Sequence, residues 1–403
     1  MNICTLEECL CCKKKNLKCI LDLGFQPLAN DFHELNLKSI NYPLKLMYCN
    51  SCFHCQLSHI VKPELLFKDY KYLSGTSQTG HNFFKVNAEY IHSLHNNTNK
   101  NILDIACNDG TQLDYFKALG WNTYGVDPAE NIYTLSRNKG HTIICGFWND
   151  ICASQLPIMN VIIAQNVFAH TSTPDCFLLN CKKLMNADSS LYIQTSQRDM
   201  IKNCEFDTIY HEHISFFNTK SMQILVEKCG LVLNRVLENT IHGRSYIFEI
   251  KMNQTKTCNV NEIMTIEETE GLYSPSIYTN FQLNTNLCVK NLSSIIDNYR
   301  KTHKCIGFGA AAKGQTLICY GNIELSYIID ENPLKIGLFS PKQNIPIVDM
   351  EHFIKDDSTD KFLMVLLAWN FSEEIIRKIK NLKLKKEIIV IERYFPEVKI
   401  III

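Results

Sequence analysis

Asn101-Ile102-Leu103-Asp104-Ile105-Ala106-Cys107-Asn108-Asp109-Gly110-Thr111 decides the fold. Its first half is an apolar run of strand length. The turn residues after it open onto a helix that carries Leu113, Phe116 and Leu119 on one face and ends at Gly120. A second strand, Thr123-Tyr124-Gly125-Val126-Asp127, ends in an acid about 20 residues after the first, where nucleotide-binding α/β folds hold ribose hydroxyls. Further apolar runs at 142–144, 161–164 and 191–193 alternate with helical spacers. Strands and helices in that alternation predict a doubly wound parallel sheet.

The loop after the first strand narrows the choice of ligand. Dinucleotide folds need several glycines there so that a pyrophosphate can approach a helix N-terminus. This loop has Gly110 alone, among Asp104, Asn108 and Asp109. Acids repel pyrophosphate and suit the sulfonium and ammonium of S-adenosylmethionine, with Asp127 left for the ribose. A generic strand-turn-helix junction with no ligand is the plain alternative, since short Gly/Asp loops are common.

Composition bounds the rest. The 403 residues suffice for two or three domains, with 46% hydrophobic and 20% charged residues. Forty-one basic residues offset forty-one acidic ones, so no broad field holds a nucleic acid polymer. No apolar run approaches the roughly 18 residues that span a bilayer, and the N-terminus lacks a signal-peptide core. A cytosolic, cytoplasmic protein without a membrane partner is expected, as a monomer or weak homo-oligomer. Nineteen cysteines in such a chain read as reduced thiols. Four of them form Cys9-x2-Cys12 and Cys49-x2-Cys52, two knuckles able to close a tetrahedral zinc site, although Cys4, Cys11, Cys19, His54 and Cys55 lie nearby. A closed four-thiolate site leaves no position for water, so the metal is structural.

Downstream, Tyr210-His211-Glu212-His213 places four proton-handling groups in a row, which suits removal of a proton from carbon. Farther on, the strand Cys305-Ile306-Gly307-Phe308-Gly309 leads into Ala310-Ala311-Ala312-Lys313-Gly314, and a following strand ends at Asp330. Gly307-x-Gly309-x-x-Ala312 with that acid reads by itself as a dinucleotide fingerprint, which keeps an NAD-linked enzyme in contention. A nonenzymatic scaffold built on the knuckles is a third reading. Runs near 362–367 and 388–391 extend a second α/β sheet, with Lys399 to Ile403 as an edge strand or a packing segment.

Several strings occur together in order: Cys49-x2-Cys52 with Gln56-Leu57, Tyr70 to Gly75, Asn108 to Thr111, Asn166 to His170 and Phe206 to His213. Ile241-His242-Gly243, Ala312-Lys313-Gly314, Asp330 to Gly337 and Leu367-Ala368-Trp369-Asn370 complete the series. In that order they resemble the sugar C-methyltransferases of deoxysugar biosynthesis across nearly the whole chain. The resemblance implies a zinc-binding domain (1–75), a central Rossmann-like S-adenosylmethionine methyltransferase domain (76–290) and a C-terminal Rossmann-like domain (291–403). It implies methyl transfer to carbon 3 of a nucleotide-linked 4-keto-deoxysugar, a dTDP sugar being the expected form, held between the central and C-terminal domains. His213 would be the base, with Tyr210, Glu212 and Tyr72 around the sugar and His170 nearby. His211 keeps a structural reading. Asp104, Ala106, Asn108, Asp109, Gly110, Asp127 and Asn166 would hold the donor, and His242, Lys313, Lys335 and Asn370 the nucleotide-sugar. Cys9, Cys12, Cys49 and Cys52 would be the zinc ligands. Two departures stand out: Ala106-Cys107 replaces the usual Gly-Ser of the donor loop, and Arg244 replaces a second glycine after Gly243. An oxygen or nitrogen acceptor stays open.

Overall fold

The computed structural model describes residues 2–403 apart from 36, 38, 69, 71, 72, 96–99, 197, 240–242 and 254–258. The chain forms two units. The first comprises Met1–Lys18, Met47–Arg198 and Glu212–Pro275, and the second comprises Cys19–Leu46, Asp199–His211 and Ser276–Ile403.

Short strands surround the knuckles: β1 (Ile3–Thr5), β2 (Leu17–Pro27), β3 (Asn41–Cys49), β4 (Cys55–Leu57) and β5 (His59–Val61). The chain then builds the main sheet of the first unit from β6 (Asn101–Ile105), β7 (Asn122–Asp127), β8 (Thr142–Cys145), β9 (Val161–Gln165) and β10 (Ser190–Ser196). Two-residue β11 (Ser215–Phe216) leaves it to pair with β4, in a sheet ordered β11-β4-β3-β2. Strands β12 (Val232–Asn239) and β13 (Ser245–Lys251) return to the main sheet, whose order is β12-β13-β10-β9-β6-β7-β8.

The pairings from β6 to β10 are parallel, as the apolar runs predict. Such strands are covered on both faces, so apolar side chains dominate along them. Alternate residues serve opposite layers. Ile102, Val161, Ile163 and Tyr192 pack with Ala88, Ile91 and Phe116 of the helices Gln78–Leu94 and Thr111–Ala118. Leu103, Ile162, Ala164 and Ile193 pack with Phe177, Leu178, Leu225 and Val226 of the helices Pro174–Lys183 and Thr219–Lys228. Each such buried aliphatic side chain contributes roughly 1.5–3 kcal/mol, which makes these layers the main stabilising element of the unit.

Strand β13 corrects the all-parallel expectation: it runs antiparallel to both β10 and β12. The link from Asn239 to Ser245 is too short for a crossover, and only a reversal fits it. Sheet order reverses between β6 and β9, and a ligand crevice belongs at the carboxyl ends of those two strands.

In the second unit, β14 (Lys304–Phe308), β15 (Ile328–Ile329), β16 (Ile347–Val348), β17 (Lys361–Leu366), β18 (Glu387–Arg393) and β19 (Lys399–Ile402) form a sheet ordered β16-β15-β14-β17-β18-β19. Its strands are parallel up to β18, and β19 closes it as an antiparallel edge. Here the order reverses between β14 and β17, which defines a second crevice. The helix Phe281–Arg300 leads into β14, which begins at Lys304, one residue before the strand expected from Cys305. Among the described residues no helix is long and apolar enough to cross a membrane.

Candidate active site and metal centre

The thiols of Cys9, Cys12, Cys49 and Cys52 lie within 4.8 Å of one another. Cys9 and Cys52 are 3.5 Å apart at sulfur, as are Cys12 and Cys49. Four Zn–S bonds of about 2.3 Å in a tetrahedron put the sulfurs about 3.8 Å apart, so this donor set fits zinc. Both knuckles turn in the same way. The residue after the second cysteine, Lys13 or Phe53, adopts a left-handed φ of 61° or 59° and donates its N–H to Cys9 O or Cys49 O at 2.9 and 2.8 Å. Of the other nearby candidates, Cys4 and Cys19 are exposed, while Cys11, Cys55 and His54 are buried; the Cys11 thiol hydrogen-bonds to Cys9 but is not one of the four clustered sulfurs. His54 Nε2 lies 3.3 Å from Ser215 Oγ instead.

At the first crevice the loop after β6 keeps a glycine-like backbone with little glycine. Ala106, Asn108 and Gly110 have φ of 62°, 50° and 76°, alternating along the loop. A left-handed Ala costs on the order of 1–2 kcal/mol, so the surrounding packing holds this shape. Asp127 ties the loop to the second strand by accepting Asn108 N and Ala129 N, each at 2.8 Å. Asp109 accepts Gly75 N at 2.8 Å and the Thr111 hydroxyl at 2.7 Å, and Asn108 Oδ1 accepts Ser74 N at 3.0 Å. Asp104 is buried, and its pKa is pushed up first by burial and then by the charges of Asp127 and Asp109. A cation in the crevice would relieve that repulsion. Across the switch point, Asn166 has φ of 55° and a buried Oδ1 without a partner among the described residues. Neither amide atom of Gln194, 1% exposed on β10, has a hydrogen-bond partner among them. Buried polar atoms left open in this way mark a ligand's place. The mutually repelling acids and the orphaned amides together fit S-adenosylmethionine.

Four residues beyond Asn166 lies His170, and it meets His213. The two ring centroids are 5.1 Å apart, and Phe67 stacks on the other side of His170 at 5.5 Å. Ile214 N donates to Ala169 O at 2.8 Å, so one main-chain bond joins the segment after β9 to the residue beside His213. Burial holds the His170 pKa down at about 4, which keeps that ring neutral near pH 7. Glu212, 2% exposed, accepts the Tyr70 hydroxyl at 3.1 Å. Tyr70 is a member of the cluster that proton-handling chemistry alone did not single out. Tyr210 is buried in the second unit. His211, also there, places Nε2 3.3 Å from Tyr42 O, in keeping with a structural role. Tyr72 and His242 lie outside the described residues.

The second crevice carries the other expected residues. Lys313 leads the helix Ala312–Gly321, with Nζ 4.6 Å above the Trp369 ring. Asn370 sits in the short helical turn Trp369–Phe371 after β17. Lys335, buried, donates to Ala310 O at 2.7 Å. Asp207 faces this group from within the same unit and accepts Trp369 Nε1 and the Tyr394 hydroxyl, each at 2.7 Å. Arg244, the departure noted in the sequence, pairs with Glu238.

Residues 9–67 match the model of a zinc binding domain, 80–236 that of a methyltransferase domain, and 240–392 that of a C-methyltransferase C-terminal domain. The chain is 26% identical over 393 residues to the C-methyltransferase NovU of Streptomyces niveus, covering 93% of each protein. Among solved structures it resembles the magnesium protoporphyrin IX methyltransferase ChlM of Synechocystis PCC 6803 with bound SAM (13% identity, 43% of this chain, 79% of that one, TM-score 0.34). It also resembles the plantazolicin methyltransferase BpumL in complex with SAH (16% identity, 42% and 82%, TM-score 0.34). The third matched model sets aside the NAD-linked and scaffold readings, and the matches together support an S-adenosylmethionine-dependent C-methyltransferase with a zinc-binding domain at its N-terminal end.

Proposed function

We propose that this enzyme methylates carbon 3 of a nucleotide-linked 4-keto-deoxysugar, a dTDP sugar in the simplest case, through an enolate. The supporting observation is the Ile214 N to Ala169 O bond, which sets the His170–His213 pair next to the segment that begins at Asn166 beside the cofactor crevice. A base held there acts on a carbon near the methyl donor.

A ketone at carbon 4 acidifies its neighbouring proton, yet not enough for imidazole to remove it unless the enolate oxygen is stabilised as it forms. His213 accepts that proton in this reading. Tyr210 or Tyr72 donates to the developing oxyanion, while Glu212 and neutral His170 fix the polar surroundings of the base. When bound, S-adenosylmethionine supplies the electrophilic methyl. Asp104, Ala106, Asn108, Asp109, Gly110, Asp127 and Asn166 line its place. Lys313, Lys335, Asn370 and His242 receive the nucleotide-sugar, whose diphosphate needs cations. The corresponding division of the chain is 1–75, 76–290 and 291–403.

The deciding experiment incubates the enzyme with labelled methyl donor and a panel of 4-keto nucleotide-sugars, and locates the methyl by NMR. Methyl on carbon 3 is expected, and methyl on oxygen or nitrogen would refute the enolate. In parallel, His213→Ala should abolish methyl transfer and also the exchange of the sugar's α proton with solvent. Persistent exchange would assign the base to another residue.

A further inference from the structure

We propose that Gln56 is a positioning residue for the reaction: through it the zinc knuckles hold the segment that carries His213. The inference rests on the reading of His213 as the base.

Gln56 is fully buried in β4, a position where an apolar residue would pack without cost. An amide is tolerated there only when both its ends are hydrogen-bonded. Both are, and both bind the chain around the first zinc ligand: Gln56 Oε1 accepts Leu10 N at 2.8 Å, and Nε2 donates to Glu8 O at 3.1 Å. Those two residues flank Cys9. The main chain of the same residue faces the other way. Gln56 is registered opposite Ser215 in the antiparallel pair β4–β11, with Cys55 opposite Phe216. Next to it, Leu57 N donates to Ile214 O at 2.8 Å.

Ile214 is thereby clamped on both sides, its carbonyl by Leu57 and its N–H by Ala169 O at 2.8 Å. Its neighbour His213, 5% exposed, has little freedom to move apart from that clamp. The second knuckle arrives by a separate route. Cys49 N donates to His54 O at 2.8 Å, the His54 ring lies 4.8 Å from that of Phe217, and Asn218 Nδ2 donates to Phe53 O at 2.8 Å. Zinc domain and base segment therefore share one small hydrogen-bonded sheet, and Gln56 joins the first knuckle to that segment as His54 joins the second. If Gln56 only braced Cys9, its loss would disturb the metal site and leave His213 in place.

The test uses the zinc-loaded full chain, with Gln56→Met to remove both side-chain bonds at similar volume and Gln56→Glu to keep the acceptor for Leu10 N. Histidine-selective 15N NMR follows the His213 ring, assigned by its absence from His213→Ala. Zinc content and kinetics with S-adenosylmethionine and a dTDP-4-keto-6-deoxy sugar are measured alongside. In Gln56→Met, stoichiometric zinc and an unchanged KM for S-adenosylmethionine are expected, together with displaced His213 signals and kcat lowered on the order of 10- to 100-fold. Gln56→Glu should fall between. Undisplaced His213 signals with kcat within twofold of the parent would overturn the proposal. Should Gln56→Met fail to fold, chelation of the parent enzyme decides: displaced His213 signals in the folded, metal-depleted protein support the link, and unmoved signals refute it. If His213→Ala retains α-proton exchange, the base assignment fails, while the His213 signals still report whether Gln56 positions that ring.

Discussion

Asp207→Ala tests how the second unit anchors the segment that leads into the proton-handling cluster. The Asp207 side chain is fully buried, and its Oδ2 takes the Trp369 indole and the Tyr394 hydroxyl at 2.7 Å each. Alanine leaves two buried donors unmet, at about 1–3 kcal/mol each. It also removes an acid facing Lys313, where breaking a buried ion pair outright costs about 3–5 kcal/mol. Glu205 still faces Lys313, so the charge is not left bare, and the overlapping losses come to about 3–5 kcal/mol. Asp207→Asn keeps an acceptor oxygen and should cost about half as much. Urea unfolding followed by tryptophan fluorescence reads the second unit, because Trp369 lies in it while Trp121 and Trp148 lie in the first. The pH dependence supplies a second check. Burial raises the Asp207 pKa above its ordinary value, with Lys313 and the two donors opposing. The native state then holds the proton more tightly than the unfolded chain. That contribution is complete at low pH and is lost as pH rises through the folded pKa. The stability gap between the parent and Asp207→Asn should therefore be widest in acid and narrow toward neutrality. A loss below about 1 kcal/mol for Asp207→Ala, or a gap that widens with pH, would refute the network as described.

Three further outcomes follow from the sites. Asp104→Asn removes an uncompensated acid from the cofactor crevice and should weaken S-adenosylmethionine binding about tenfold or more by calorimetry; unchanged affinity would move the cation's counter-charge elsewhere. Chelating zinc should lower the melting temperature of the first unit and release the metal in stoichiometric amount, with Cys12→Ser showing the same defect, because a structural zinc site contributes directly to folding. His170 and His211 are both held by burial at about 4 against an ordinary 6.5, so the unfolded chain binds more protons between those values. Stability should thus fall as pH drops from about 6.5 toward 4, and His211→Gln should flatten that decline in urea midpoints.

Much of the scaffold is legible because strands buried on both faces must be apolar throughout. The runs at 161–164 and 191–193 stand out as β9 and β10 for that reason. Strand β13 does not, because its register is set by tertiary pairing with β10 and β12 on either side and by a turn too short to show a helix. The knuckles are legible from spacing alone, yet spacing cannot separate Cys9 and Cys12 from adjacent Cys11, which is as buried as Cys9 and lies outside the four-sulfur cluster. In the site, His213 is visible through its neighbours in sequence, whereas its approach to His170 depends on one main-chain bond between residues far apart in the chain. Ala106 looks like a lost glycine; the fold retains the left-handed backbone there at a cost in strain, while Asn108 adopts it readily.

The acid after the second strand deserves a different weight from the one its position suggests. Asp127 accepts the N–H groups of Asn108 and Ala129, and Asp330 in the second unit accepts those of Ala310 and Asn332 in the same arrangement. Each unit thus uses this carboxylate to tie its first loop to its second strand, whatever the ligand. A carboxylate has further lone pairs to offer a ribose, but the acid by itself does not tell one cofactor from another. The remaining charges do. Around the first loop stand Asp104 and Asp109, with orphaned amides at Asn166 and Gln194. Around the second stand Lys313 and Lys335. A chain of zero net charge therefore gathers acids at one crevice, while at the other it buries lysines, with Glu205 and Asp207 facing Lys313. Acids at the first loop suit a positively charged methyl donor, and the lysines at the second offer the donors that an anionic diphosphate needs, which is the division of labour that the proposed nucleotide-sugar methyl transfer requires.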